Sequence, residues 1–282
     1  MTVVAAQERS SQAAKPSSQQ PPQPRLRPAS PSGLLSGLSI EHGPRDLLGR
    51  FFLQADTAAR ERGVYLSFGT FEELVEANAN NTSSWHPLIP LFNPKNGGFS
   101  DHNAFCILGR NAQGEIVATQ AARLYDWRDT SFYEEAKSLR LFYEDPARLK
   151  QPTERCEISA ESTKFVSGKV CFSGGGWYRR DYRKKELSTI LPRVSRALAF
   201  TRWDSDYTIS IMAEKVIAGG MAERCGYTNV DWDLNLYDSP VGTVRCAFVW
   251  MERQQLLTDL GAFSAGLGSG TQVDTGVDER RA

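Results

Sequence analysis

Two groups of residues in this 282-residue chain have types and spacing that could do chemistry. The first is a basic run. Arg179, Arg180, Arg183, Lys184 and Lys185 place five cations in seven residues, just ahead of the helical pattern LSTILPRVSRALAFTRW. The positive end of a helix dipole disfavours cations there by about 0.3–1 kcal/mol each. A bound polyanion would relieve that cost, and Ser173-Gly174-Gly175-Gly176 adds open backbone nearby. Two other readings compete: a solvated loop whose charges point outward, or a nucleic-acid patch in which Trp177, Tyr178 and Tyr182 interleave with the arginines. The second group is a carboxylate row. In RCEISAESTKFV, strand alternation puts Glu157, Ser159 and Glu161 on one face and Cys156, Ile158 and Ala160 on the other. On a central strand such carboxylates are costly unless partnered. Glu157 or Glu161 would there suit general-base work on an amine. The competing reading is structural ion pairing with Arg123, Arg155 or Lys164.

Other chemistries find little to work with. His42, His86 and His102 lie far apart, without metal-ligand spacing, so no zinc or iron site is expected. Ser159 and Ser173 have no histidine beside them in sequence, which argues against a Ser-His triad. Cys106, Cys156, Cys171, Cys225 and Cys246 are odd in number and scattered, as expected of reduced thiols in a cytoplasmic protein. Trp85 and His86, in an aperiodic stretch over 81–103, read either as pocket lining or as packing on the flank. Thirty-three basic residues balance 33 acidic ones, so no global attraction to nucleic acid or anionic membrane is expected. No apolar window approaches the eighteen residues a membrane span needs, and the N-terminus lacks the apolar run of an export signal.

The elements that would position these residues follow from periodicity. Gly43 to Gly63 carries a helical stripe (Leu47, Leu48, Phe51, Phe52, Ala55) closed by glycine. VYLSF alternates as a strand, and Thr70 with Glu73 forms a capping-box signature for the next helix. AFCILGR, the turn NAQG and EIVATQAARLYDW predict a hairpin. KVCFS is a further strand. The LSTILPRV helix should start near Ser188 or Thr189, where Pro192 falls in the tolerated first turn. DYTISIM, DWDLNLY and TVRCAFVWM are strands, and AEKVIAGGMAERCGY a helix ending at Gly226. The order predicts an α/β (α+β) fold: one mixed, mostly antiparallel sheet of about seven strands flanked by helices. Composition sets the expected limits: a disordered Ser/Gln/Pro-rich tail over 1–42, one domain over 43–258 and a flexible Gly-rich tail over 259–282.

Over about Val64 to Met251 the chain resembles the GNAT-type N-acetyltransferase superfamily. The resemblance rests on VYLSFGTFEELVEA, the hairpin AFCILGRNAQGEIVATQAARL, the helix approach DYRKKELS, and MAERCGYTNVDWDL with its Gly226-Tyr227 turn. A fainter similarity to acyl-homoserine-lactone synthases rests on RCEISAESTKFV. The resemblance implies an acyl-CoA N-acyltransferase-like fold. It implies acyl transfer from acyl-CoA, or from an acyl carrier protein, to a small amine, with acyl-CoA as co-substrate and no permanently bound cofactor. The CoA would lie along Gly174, Gly175, Gly176, Arg179, Arg180, Arg183, Lys184, Lys185 and Ser188. Against the superfamily's Arg/Gln-x-x-Gly-x-Gly/Ala loop, Glu186 and Ser188 stand at the two small-residue positions, and Ala222 stands where many members carry a tyrosine acid. A non-catalytic ligand-sensing or interaction module on the same fold is the alternative, with nucleic-acid binding through 179–185 the least favoured.

Overall fold

In the computed structural model, which describes residues 33–269, the capping box forms as expected. The Glu73 amide donates to Thr70 Oγ1 at 3.2 Å, and the Thr70 amide donates to Glu73 Oε2 at 2.9 Å. The first half of the chain runs α1 (Gly33–Ser36), α2 (Arg45–Glu61), β1 (Tyr65–Gly69), α3 (Phe71–Ala79), β2 (Ala104–Arg110), β3 (Ile116–Trp127), α4 (Phe132–Lys137), α5 (Pro146–Leu149) and β4 (Arg155–Ile158). The second half runs β5 (Gly168–Tyr178), α6 (Leu187–Trp203), β6 (Tyr207–Ala213), α7 (Glu214–Ala218), α8 (Met221–Arg224), β7 (Asn229–Ser239), β8 (Gly242–Glu252) and α9 (Arg253–Ser269).

Eight strands, one more than expected, form a single sheet in the order β1-β2-β3-β5-β6-β8-β7-β4. Every neighbouring pair is antiparallel except β5–β6. Alternation sorts the core onto two faces. Ala247, Val249 and Met251 of β8 face α2, α6 and α9, where Phe51, Leu191, Val194 and Leu260 pack. Cys246 and Phe248 face the other way, onto Phe132, Phe142 and Phe172.

Three expectations need correction. RCEISAESTKFV is not a central strand. Only Arg155–Ile158 is extended, at the sheet edge against β7 alone, and Glu161–Lys164 is a 3₁₀ turn. An edge is where a polar row is cheap, because water reaches it. The packed body also exceeds 43–258. Leu34 on α1 is 1% exposed, and α9 carries Leu256 and Leu260 into the core and Phe263 against Phe51 at 6.4 Å between ring centroids. The Gly- and Ser-rich composition after residue 258 hides a helix that tertiary burial holds. Of the expected tails over 1–42 and 259–282, residues 1–32 and 270–282 lie outside the described residues. Lastly, AEKVIAGGMAERCGY is two short helices, because Gly220 takes φ +72° between them.

α6 is the spine beneath the sheet and keeps Pro192 well inside it. Proline has no amide to donate, so the Ser188 carbonyl loses its partner four residues on. The Cys225 thiol donates to that carbonyl at 3.7 Å instead.

Candidate active site

The site begins where two parallel strands part. β5 and β6 pair only through Val170↔Tyr207, Cys171↔Thr208 and Phe172↔Ile209. Beyond that point β5 stays on β3, while Ser210 to Ala213 stay on β8. The glycines drive the divergence. Gly175 has φ +64°, and the β3–β5 register shifts between Thr119 and Ala121 opposite it, a bulge that bends β5. A Cβ at Gly174 would come within 2.8 Å of the Phe92 ring, so a side chain there would push that loop off β5. The split opens a cavity of about 1250 Å³.

Its polar end lies at the start of α6. No side chain caps this helix, and Leu187, Ser188 and Thr189 line the cavity. Lys184 and Glu186 sit at φ +62° and +58°, in the left-handed region where glycine is at ease. Glu186 therefore holds a backbone shape that glycine would adopt without strain. Its carboxylate forms an ion pair with Arg62, whose Nε also donates to the Lys185 carbonyl at 2.8 Å. The acidic side chain is thereby engaged by a cation from the end of α2, beside the helix start it would otherwise burden.

The basic run is mostly construction. Arg179 donates to Glu115 and Asp181, both at 2.8 Å, and these hydrogen bonds hold both carboxyls below the usual carboxylate range. Arg180 donates to the Ser83 carbonyl at 2.9 Å. Arg183 donates to the Ser84 carbonyl at 3.0 Å and the Tyr178 carbonyl at 3.1 Å. The Lys185 ammonium rests 4.1 Å from the Tyr182 ring centroid. Together these contacts tie loop 179–186 to loop 81–89, and Trp85 stacks on Trp177 at 5.2 Å. Of the expected ligand-binding residues, Gly175, Gly176, Arg183, Lys184 and Ser188 line the cavity; Gly174, Arg179, Arg180 and Lys185 do not.

Glu157 and Glu161 are not brought to the cleft. Both are exposed, Glu157 paired with Arg155 at 2.9 Å and Glu161 with Lys164 at 2.7 Å, the structural pairing weighed as their alternative. The carboxylates that do line the cleft are Glu186 and Glu214, the latter paired with Arg245 at 2.9 Å. His86 lines it as well. Cys246 reaches it, but burial pushes its thiol up to about 12, so it is not a nucleophile near neutral pH. Ala222, at the tyrosine position of the pattern, is buried and 7% exposed. Arg62, Lys215, Arg224 and the wall from β7 and β8 had no signal in the sequence, since only the tertiary fold brings them here. Among the described residues, no three His, Cys, Asp or Glu form a metal-binding group, and no helix is long and apolar enough to cross a membrane.

No family model and no curated protein matches the chain. Solved structures do. A chimera of spermidine N-acetyltransferase from Vibrio cholerae is 9% identical at a TM-score of 0.43, covering 69% of this chain and 98% of that one. An uncharacterized protein from Bacillus halodurans is 10% identical at 0.41, covering 72% and 91%. AAC(6')-Ib in complex with acetyl-CoA is 13% identical at 0.38, covering 68% and 95%.

Proposed function

We propose that the chain is a GNAT-type acyltransferase that moves an acyl group from an acyl-CoA thioester to an amine. One observation carries the reading: β5–β6, the parallel pair among the described strands, separates beside the N-terminus of α6, which no side chain caps. A helix start with no side-chain cap, with Lys184 beside it, suits a pyrophosphate. The opened edge of β5 suits the extended amide arm that would follow it, by strand-like pairing. A backbone amide at Gly175 or Gly176 would polarise the thioester carbonyl. The amine attacks that carbon, a C–N bond forms, the C–S bond breaks, and the thiolate departs. The amine proton passes to His86, because both cleft carboxylates are held in ion pairs and Glu157 and Glu161 lie elsewhere.

Thermal unfolding with free CoA and with acetyl-CoA tests this. A ligand at one hundred times its dissociation constant stabilises by about 2.7 kcal/mol. A melting curve unmoved by CoA and by every acyl-CoA removes the proposal. Ala222 favours a second reading, a CoA-responsive module without turnover, since no hydroxyl stands there to reprotonate the leaving thiolate. Thiol release across a panel of amines separates the two.

A further inference from the structure

The cleft passes through the sheet rather than along it. Tyr178, Tyr182, Leu187 and Met221 belong to the cluster on the α6 face, and all four line the cavity. Leu88, Ile89, Ile211, Leu236, Val241 and Val244 belong to the cluster on the opposite face, and they line the same cavity. One continuous space thus joins an anion-accepting end to an apolar end.

Charge sorts along the same axis. Arg183, Lys184 and the open helix start are on the α6 side, and Lys215 stands on α7, whose Ile217 packs in that cluster. From β8, Arg245 reaches the cavity already paired with Glu214 and Asp233, each at 2.9 Å. The far wall therefore offers hydrocarbon contact and no unpaired carboxylate to attract an ammonium. Cys246 at its floor is buried, with 3% of its surface exposed. The cavity exceeds the roughly 300–1000 Å³ of an ordinary ligand pocket.

We propose that the far side of the cleft holds the hydrocarbon tail of the acyl group, so that the preferred donor is a thioester of a medium- or long-chain acid rather than of acetate. The proposal rests on the acyl-CoA reading above. An elongated molecule with an anionic head and an apolar tail matches the sorting of charge from one face to the other. An acetyl group would end at the split and leave Leu236, Val241 and Val244 facing water.

Calorimetric titration of the full chain with CoA, acetyl-CoA, butyryl-CoA and octanoyl-CoA reads the tail directly. Full burial of a methylene is worth about fourfold in affinity. Octanoyl-CoA should therefore bind at least about 100-fold tighter than acetyl-CoA, with butyryl-CoA between them. Val241→Trp and Val244→Trp would fill the far wall. Either should bring octanoyl-CoA back towards acetyl-CoA while leaving CoA itself unchanged, which also shows that the variant folds. Equal binding of CoA, acetyl-CoA and octanoyl-CoA overturns this proposal and leaves the acyl-CoA reading standing. Absence of binding by all of them removes both. Octylamine, titrated onto the CoA complex, is the remaining arm. If its binding depends on Val241 and Val244 while acyl length has no effect, the wall belongs to the acceptor and the proposal falls.

Discussion

At the residue scale, Glu186 shows how an unfavourable letter is tolerated at a helix start. Its left-handed backbone costs about 1 kcal/mol in an L-residue and nothing in glycine. Its ion pair with Arg62 is exposed on the Glu186 side, so little stability comes back from it. Glu186→Gly should therefore raise stability by about 0.5–1 kcal/mol in urea unfolding, and should tighten CoA several-fold by removing a negative charge. Arg62→Ala should weaken CoA by a similar factor, because the carboxylate is then released beside the helix start. If Glu186→Gly binds CoA no better than the parent, the carboxylate does not bear on the anion. His86 is judged by a different readout. As the proton acceptor it should lose about 10²–10⁴ in kcat on substitution by Gln, with the dissociation constant for CoA unchanged. A His86→Gln enzyme with full kcat would move proton removal to water or to the acceptor.

Among the elements, α9 does more than close the chain. Its Asp259 accepts from Arg193 at 2.8 and 3.0 Å and lies 3.4 Å from Arg196, a side chain with no exposure. Arg193 also donates to the carbonyls of Thr189 and Arg224, so one carboxylate is shared between the two cations that bind α6 to α8. Removing one partner of a buried pair costs about 3–5 kcal/mol, since the remaining charge is left in the core. Asp259→Ala should show that loss in denaturant unfolding, and a chain ended at residue 258 should lose at least as much. Equal stability of the shortened chain would make α9 dispensable. The sequence was legible where local chemistry decides: the capping box at Thr70, the hairpin around Asn111 to Gly114, and α6. It was not legible where neighbours decide. Alternation tells which side chains share a face, but not that β4 sits at the sheet edge, so Glu157 and Glu161 read as central. Composition alone marked 259–269 as a tail, although Leu260 and Phe263 carry an apolar stripe. The cleft residues before α6, Gly175, Gly176, Arg183 and Lys184, stood out because the glycines and cations there are contiguous. The apolar wall did not, because α7, β7 and β8 reach it only through the fold.

Considered whole, the molecule is a sheet opened at one seam, and its titratable core follows from that. Loop 179–186 is tied down by its own arginines, which explains why a run that looks like a nucleic-acid stripe spends its guanidiniums on protein carbonyls and carboxylates. All five thiols are buried, and four of them lie on the sheet, on β2, β4, β5 and β8. Burial pushes Cys106, Cys156 and Cys246 from 9.0 up to about 12. The folded state favours the neutral thiol, so this contribution is fully present below the unfolded value and is lost as pH rises towards the folded one. Between pH 9 and about 12 each thiol should therefore withdraw up to about 1.4 kcal/mol per pH unit. Urea unfolding at pH 8.0 and pH 10.5 should differ by several kcal/mol, and replacing Cys246 with alanine should remove part of that difference while sparing the rest. A denaturation midpoint that does not move between these two pH values would mean that the thiols are hydrated, and the floor of the cleft with them.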